Sequence, residues 1–176
     1  NTEEYGSLSV YITKKLVSAS KETPAGDLVW DLVETFPETF GDCYIVNDQK
    51  VCLYKKAQLV VGEMFHRFSS EDDRFNFADG NNLTAYIDNV ICASMRYKKV
   101  IVPCQELTER IESCTELPKG SEDEVALRAA AMVGIELVIA EMALSSIELG
   151  NYLWGGLGKV PEVRKFQRHA TKTLFY

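Results

Sequence analysis

The chain has 176 residues, of which 46% are hydrophobic and 26% charged; these proportions are typical of one folded domain and exclude intrinsic disorder. Nineteen basic residues against 26 acidic ones give a net charge of -7, so we do not expect the chain to bind duplex nucleic acid or to coat an anionic membrane. One small phosphate remains compatible with this charge, because a single local cluster of positive charge can bind it.

The hydropathy pattern contains no stretch that we expect to cross a membrane. The longest apolar run, 125–144, is interrupted by Arg128, Glu136 and Glu141, and a bilayer span would have to neutralise all three. We therefore predict a soluble, cytoplasmic protein. An organellar location stays open, because the sequence opens without methionine and its true N-terminus is expected to lie upstream.

The five cysteines lie at positions 43, 52, 92, 104 and 114, and no two of them have the CxxC spacing that is typical of a zinc site. A metal site and a complete disulfide framework are therefore disfavoured, and we expect reduced, mostly structural thiols. Cysteine catalysis is also disfavoured, because it needs a histidine partner and only His66 and His169 are present.

The first part of the chain predicts helices followed by a hairpin. Apolar residues recur with helical spacing over 8–18. Thr23-Pro24 is a cap with proline at the first helical position, and the helix that it starts should end before Pro37. Alternation on both sides of Asn47-Asp48 predicts a β-hairpin over 42–54.

The rest of the chain predicts helices joined by polar loops. These helices cover 55–68, 83–97, about 103–114, and a long segment that starts at the capping box of 121–124. The sequence therefore predicts a mainly α single domain, residues 1–176, with one small β-hairpin.

Two aspartates, Asp79 and Asp88, are candidates for acid–base chemistry. They are nine residues apart, one in a polar loop and the other inside a predicted apolar helix. Two carboxylates can hold a water and face developing positive charge. On the alternative interpretation, which spacing alone favours, Asp79 caps the helix after it and Asp88 pairs with Arg96 or a nearby lysine.

Other polar residues are candidates for ligand contacts. Lys55 and Lys56 begin a helix, where positive charge and free N–H groups suit a phosphate, although a solvated lysine pair is the commoner arrangement. Glu136 is expected to be buried and lacks a partner at helical spacing, so it should bond a distant group of the ligand or the protein. Arg128 has a simple partner in Glu124, one turn earlier.

Aromatic residues near the C-terminus favour packing roles. Tyr152 and Trp154 are more often core residues than a platform for stacking a base. The closing residues 174–176, Leu-Phe-Tyr, are expected to be buried. The standard motifs of nucleotide binding and hydrolysis, such as GxGxxG, the Walker loop, HExxH and GxSxG, are absent.

Six segments, in order, resemble the queuosine salvage family, the queuosine 5′-phosphate N-glycosylase/hydrolase proteins. They are 36–42 (FPETFGD, against FPxFRD), 51–58 (VCLYKKAQ, against VxFYKRAQ), 77–88 (against FxDIxxLTxFAD), 120–137 (against GSxxEVEIRxxxxxxVEL), 152–154 (YLW) and 169–176 (HATKTLFY, against HRTRTIFY). The resemblance runs from about Phe36 to the end of the chain and covers only the C-terminal half of a usual member.

The sequence also departs from the family pattern. The family's DYRVPQ reads DNVICA at 88–93, and the aspartate before YLW has become Gly150. These changes remove polar groups that a ligand could contact, so the chain resembles a diverged member.

The resemblance implies a helical fold similar to DNA glycosylases and an activity that hydrolyses queuosine 5′-monophosphate to queuine and ribose 5-phosphate. Queuine is a 7-deazapurine and cannot be activated by protonation at N7, so a carboxylate beside C1′ must stabilise positive charge on the ribose. Asp79 is the first candidate for this carboxylate and Asp88 the second. We expect Asp79 to face a cavity, toward Glu136 or the His169 segment.

The resemblance also implies roles for other residues and for partners. The candidates for the 5′-phosphate are Lys55 and Lys56, and those for pocket walls are Tyr54, Glu136 and His169. No metal or organic cofactor is implied, and the N-terminal half of the family or another subunit is the expected partner. The competing hypothesis is a catalytically inactive, glycosylase-like subunit of a larger assembly, which would keep the residues of the fold and lose those of the pocket.

Overall fold

A single hairpin interrupts the helices, as the alternation around Asn47-Asp48 predicts. The computed structural model describes residues 5–175, and within them strands β1 (Cys43–Val46) and β2 (Gln49–Cys52) pair antiparallel. Asn47 and Asp48 both have positive φ, 49° and 60°, as a two-residue hairpin turn of type I′ requires.

The hairpin also carries a disulfide between Cys43 and Cys52, which lie directly opposite each other in the register. The expectation of reduced thiols is therefore wrong for these two cysteines, because strand pairing brings together two positions that are nine residues apart in sequence. The remaining cysteines, Cys92, Cys104 and Cys114, are free.

The predicted helices over 8–18 and from Pro24 to before Pro37 are confirmed, although the Thr23 side chain makes no capping hydrogen bond, and a short helix that was not predicted follows them. These helices are α1 (Leu8–Ser18), α2 (Pro24–Thr35) and α3 (Pro37–Phe40). Helix α2 begins at Pro24, directly after Thr23, and ends before Pro37, because a proline disfavours helical backbone in the residue that precedes it.

The helices after the hairpin lead to a C-terminal region of short turns. They are α4 (Lys55–Phe68), α5 (Asn89–Tyr97), α6 (Gln105–Glu112), α7 (Glu122–Ile139), α8 (Ser146–Asn151) and α9 (Pro161–Lys165). The Ser121 hydroxyl accepts a hydrogen bond from the Glu124 N–H, which confirms the Ser121 half of the predicted capping box, and the Glu124 carboxylate accepts the N–H of Gly120 at 3.1 Å. Of the helices in residues 5–175, none has the length and apolar character needed to cross a membrane.

The predicted helix over 83–97 is wrong in its first half, because α5 begins only at Asn89. Residues 83–88 form an irregular, mostly buried segment. The N–H of Thr84 donates to Gln58 Oε1 at 2.8 Å, and the N–H of Ala85 donates to Ser146 Oγ at 2.9 Å. Since side chains of other elements satisfy these N–H groups, the segment needs no helical hydrogen bonds.

Segment 83–88 runs between two apolar cores. Leu83 and Tyr86 pack into a core built mainly from α1, α2 and α4, whereas Ala85 and Ile87 pack into a core built mainly from α5, α6 and α7. The segment therefore ends, at Asp88, on the seam between the two cores.

The closing aromatic segment is only partly buried. Phe175 is buried as predicted, whereas Leu174 is exposed, and Tyr176 lies outside the described residues. The Lys119 ammonium lies 4.2 Å from the centre of the Phe175 ring, so a cation–π contact reinforces the burial of this side chain.

The contact between Gly62 on α4 and Tyr86 of segment 83–88 can be tested by substitution. A Cβ at Gly62 would lie 1.9 Å from the hydroxyl oxygen of Tyr86, which has no hydrogen-bond partner among the described residues. We expect Gly62→Ala to lower the free energy of unfolding by about 1–3 kcal/mol, because the clash outweighs the gain of roughly 1 kcal/mol in helix propensity.

Removing the hydroxyl should relieve part of this cost. We expect Tyr86→Phe alone to change stability little, since it deletes an unpartnered polar group, and Gly62→Ala to cost less in its presence. Urea denaturation of the four proteins measures the coupling. An equal cost of Gly62→Ala with and without Tyr86→Phe would contradict this packing.

Candidate active site

A cavity of about 280 Å³ opens at the seam between the two cores. One wall is a face of α4, another is the end of segment 83–88 with the first turn of α5, and a third is the end of α8 with the turn after it. The lining residues are Lys55, Leu59, Glu63, Tyr86, Asp88, Ile91, Gly150, Asn151 and Trp154.

Helix α4 presents Lys55, Leu59 and Glu63 to the cavity, at the four-residue spacing that aligns side chains on one helix face. Tyr54, just before the helix, has left-handed backbone with φ 47°. This conformation turns the chain directly from the hairpin into α4, so that Lys55 is the first helical residue and lies at the cavity.

Asp88 is held at both carboxylate oxygens. Its Oδ1 accepts the N–H groups of Val90 at 2.9 Å and Ile91 at 3.0 Å, which makes it the cap of α5. Its Oδ2 lies 3.9 Å from Lys55 Nζ, and these two side chains are only 9% and 16% exposed. The expected pairing with a nearby lysine is confirmed, and the fixed carboxylate can face a cation or hold a water inside the cavity.

Asp79 lies elsewhere and does not line the cavity. Its two carboxylate oxygens accept the N–H groups of Ala25 at 2.8 Å and Gly26 at 2.9 Å, in the first turn of α2. Thr23 supplies no side-chain cap for that helix, so its free N–H groups bind a carboxylate from a distant segment. The expected direction of Asp79, toward Glu136 or the His169 segment, is therefore wrong.

Glu136 bonds a distant group, as expected, and that group belongs to the protein. Ser146 Oγ donates to Glu136 Oε1 at 2.6 Å and itself accepts the N–H of Ala85. The expectation that Glu136 is buried is wrong, since this side chain is exposed and does not line the cavity. Its bond to Ser146 instead supports segment 83–88.

The other predicted ligand contacts also lie outside the cavity wall. Lys56 is half-buried beside Lys55. Tyr54 packs against the core of α1, α2 and α4, and burial together with Glu34 raises the pKa of its hydroxyl. His169 is buried, and burial together with the Arg128 and Arg96 guanidinium groups lowers its pKa to about 4. This imidazole is therefore neutral at physiological pH.

Lys55 and Asp88 are the lining residues that the sequence predicts as site residues; the polar and aromatic ones that it does not predict are Glu63, Tyr86, Asn151 and Trp154. The four-residue repeat from Lys55 could have indicated Glu63. Trp154 is 50% exposed, so its expected place in the core is wrong. It lies in a π-helical turn, Tyr152–Gly156, an irregularity that is frequent at functional sites and that apolar spacing does not predict.

A buried ion cluster lies behind the cavity. The Arg128 guanidinium is fully buried and donates to both carboxylate oxygens of Asp42 and, at 3.2 Å, to Glu124. It also donates to the carbonyl oxygen of Ile87. The predicted pairing of Arg128 with Glu124 is confirmed, and Asp42 is an additional partner.

No group of three or more His, Cys, Asp or Glu side chains within residues 5–175 is arranged to hold a metal ion. The polar and aromatic side chains at the cavity are those of Asp88, Lys55, Glu63, Asn151, Tyr86 and Trp154.

Comparison with known proteins identifies the family. The model of the family described as "Queuosine salvage protein" matches residues 8–176. The chain belongs to the queuosine salvage family. The match begins well before Phe36, where the motif resemblance starts, and therefore includes α1 and α2.

Two curated relatives from this family are named queuosine 5′-phosphate N-glycosylase/hydrolase. The one from Sphaerobacter thermophilus is 28% identical over 151 residues, which cover 83% of this chain and 46% of the relative. The one from Dictyostelium discoideum is 29% identical over 174 residues, which cover 94% of this chain and 51% of the relative. The chain thus spans about half the length of the curated relatives that it matches.

The contacts of Asp79 predict a role in stability. Asp79→Asn removes the charge and one of the two acceptors at the start of α2, so we expect the free energy of unfolding to fall by about 1 kcal/mol. Asp72→Asn is the control, because among the described residues the Asp72 side chain bonds only the N–H and the exposed guanidinium of Arg74, within its own turn, and the substitution should change stability by less than about 0.5 kcal/mol. Equal urea midpoints for the two variants would contradict the assignment.

The low pKa of His169 predicts how stability changes with pH. Between its ordinary value of 6.5 and about 4, His169 takes up a proton in the unfolded chain but not in the folded one. Stability that is fully present above pH 6.5 should therefore be lost as pH falls toward 4.

Urea denaturation between these pH values measures this loss. His169→Gln should flatten the dependence on pH relative to the unsubstituted protein, whereas His66→Gln, at an exposed position on α4, should not. The same slope for the His169 variant and the unsubstituted protein would refute the prediction.

Proposed function

We propose that the protein hydrolyses the N-glycosidic bond of queuosine 5′-monophosphate, giving queuine and ribose 5-phosphate. Both curated relatives carry the name of this activity. The observation that carries the proposal is the Lys55–Asp88 pair at the wall of a cavity on the seam between the two cores.

The proposed reaction needs water as its only second reactant. As the bond between C1′ and the base nitrogen breaks, its electron pair leaves with the base and positive charge develops on the ribose. The Asp88 carboxylate stabilises that charge, because its orientation is already fixed by the first turn of α5. The water oxygen then bonds to C1′, and the proton that it releases completes the N–H of queuine.

Lys55 is the proposed contact for the 5′-phosphate, with Lys56 beside it. Lys55 lines the cavity, whereas Lys56 does not, so the first lysine carries the larger part of this role. Tyr54 provides no side-chain cap at the start of α4, and this helix terminus favours an anion, although Asp42 Oδ2 already accepts the N–H of Lys55 there at 3.5 Å.

Trp154 is the proposed surface for the base. Its ring is half exposed at the cavity wall, where a flat heterocycle can stack on it.

The cavity of about 280 Å³ is small for a whole nucleotide of this kind. We therefore propose that the chain corresponds to the C-terminal half of such an enzyme and that another segment or subunit completes the base pocket.

Asp88 takes precedence over Asp79 as the catalytic carboxylate. Asp79 uses both oxygens to bind the start of α2, whereas Asp88 keeps Oδ2 on the side of Lys55 and the cavity. Glu136 and His169 enter the proposal as supporting residues, since neither lines the cavity.

The inactive-subunit hypothesis has weaker support. A subunit that serves only packing does not require a half-buried lysine and a buried aspartate at the wall of one cavity, nor a half-exposed tryptophan at its edge. The cytoplasmic location stays a prediction from the sequence: the three free cysteines agree with a reducing compartment, and the Cys43–Cys52 disulfide does not.

Asp88→Asn tests the proposal directly. Asparagine caps a helix about as well as aspartate, so the variant should fold normally, while losing the charge that stabilises the ribose. We expect kcat for release of queuine from queuosine 5′-monophosphate to fall by about two decades or more. Product is measured by chromatography with the full native protein.

Asp79→Asn is the matched control, because it changes the other aspartate of the predicted pair in the same way. It should retain kcat close to that of the unsubstituted protein when assayed well below its unfolding temperature. Near-normal turnover by Asp88→Asn would reject Asp88 as the catalytic group, and absence of queuine release by the unsubstituted full protein would reject the proposed function.

A further inference from the structure

Lys55 and Asp88 lie on different elements: Lys55 is the first residue of α4, which follows the hairpin, and Asp88 is the last residue of segment 83–88. Their separation of 3.9 Å therefore depends on contacts that hold the end of the hairpin against the end of that segment.

Arg128 contacts the end of the irregular segment. Its Nε and Nη2 donate to the carbonyl oxygen of Ile87, at 3.4 Å and 3.3 Å. Ile87 directly precedes Asp88 in the chain, so this contact fixes the backbone from which the Asp88 side chain extends.

Arg128 contacts the end of the hairpin through Asp42. Its two terminal nitrogens bond the two carboxylate oxygens of Asp42, one at 2.9 Å and the other at 2.5 Å. The carbonyl oxygen of Asp42 accepts the N–H groups of Leu53 at 2.9 Å and Tyr54 at 3.3 Å, and Asp42 Oδ2 accepts the N–H of Lys55 at 3.5 Å. Asp42 therefore holds the three residues at which the hairpin passes into α4.

We infer that Arg128 is a positioning residue that sets the geometry of Lys55 and Asp88, through Asp42 on one side and the Ile87 carbonyl on the other. The inference rests on the proposed function, in which this pair acts on the substrate. Arg128 does not line the cavity and is fully buried, so it acts through the pair and does not touch the ligand.

The chemistry of the contacts requires an arginine. A guanidinium presents five N–H donors in a rigid, planar arrangement, and here those donors reach a carboxylate, a second carboxylate on Glu124 and a carbonyl at once. A lysine would supply the same charge but could not hold all these acceptors in one geometry. A buried ion cluster adds little net stability, because apolar residues of similar volume often stabilise a fold as well as the charged groups do. Stability alone therefore does not explain the presence of this cluster.

The test is Arg128→Lys in the full native protein, assayed with queuosine 5′-monophosphate. We expect kcat to fall by about tenfold to a hundredfold, with KM changed by less than about threefold, since a displacement of about 1 Å in a reacting group has effects of this size. Ile135→Ala is the matched control: Ile135 is fully buried on the same helix and belongs to the core. It should lower the unfolding temperature while leaving kcat within about twofold of normal.

Crystal structures of the variants give a readout that does not depend on activity. In Arg128→Lys we expect the distance from Lys55 Nζ to Asp88 Oδ2 to grow by about 1 Å or more. If this variant does not fold, Asp42→Asn takes its place: it keeps the carbonyl contacts to Leu53 and Tyr54 and removes the charge that Arg128 bonds, with the same expected direction in both readouts.

The outcomes separate the two claims. A folded Arg128→Lys protein with normal kcat and an unchanged pair would overturn the positioning role and leave the proposed function standing. An unsubstituted protein that releases no queuine, together with a displaced pair in the variant, would overturn the proposed function and leave the positioning role standing.

Discussion

The buried charge of Arg128 is the constraint on which the arrangement of this domain depends. A guanidinium taken out of water is costly unless anions and hydrogen-bond acceptors surround it, and Asp42, Glu124 and the Ile87 carbonyl meet that requirement. These acceptors come from the start of the hairpin, from α7 itself and from the segment between the two cores. One side chain therefore fixes three parts of the fold relative to one another, and the cavity lies beside their junction.

The elements that the sequence predicts well are those with local signals. Helices α1 and α4 have the predicted bounds, because apolar spacing lies within each segment, and α7 begins after Ser121, because its cap is a contact between neighbours. The predicted helix fails over segment 83–88 because the groups that satisfy its backbone, Gln58 and Ser146, are distant in sequence. No local pattern carries that information.

In the candidate site, too, local sequence patterns predict some features, whereas contacts between distant residues determine the others. The motif resemblance selected both aspartates, yet only the tertiary structure distinguishes them, because Asp79 bonds a helix that lies more than fifty residues earlier. The sequence predicts that Asp88 pairs with a lysine, whereas the turn at Tyr54 determines that this lysine is Lys55. The prediction of a core position for Trp154 fails because apolar spacing does not indicate the direction of a side chain in a π-helical turn.

The alternation of segment 83–88 between the two cores has a mechanical consequence. Leu83 and Tyr86 anchor it on one side, and Ala85 and Ile87 anchor it on the other. Prising the cores apart would expose these side chains together, at roughly 1.5–3 kcal/mol for each large one. Widening the cavity is therefore energetically costly. A molecule that fits the cavity can bind without deforming the protein, whereas the binding of a wider one has to separate the two cores.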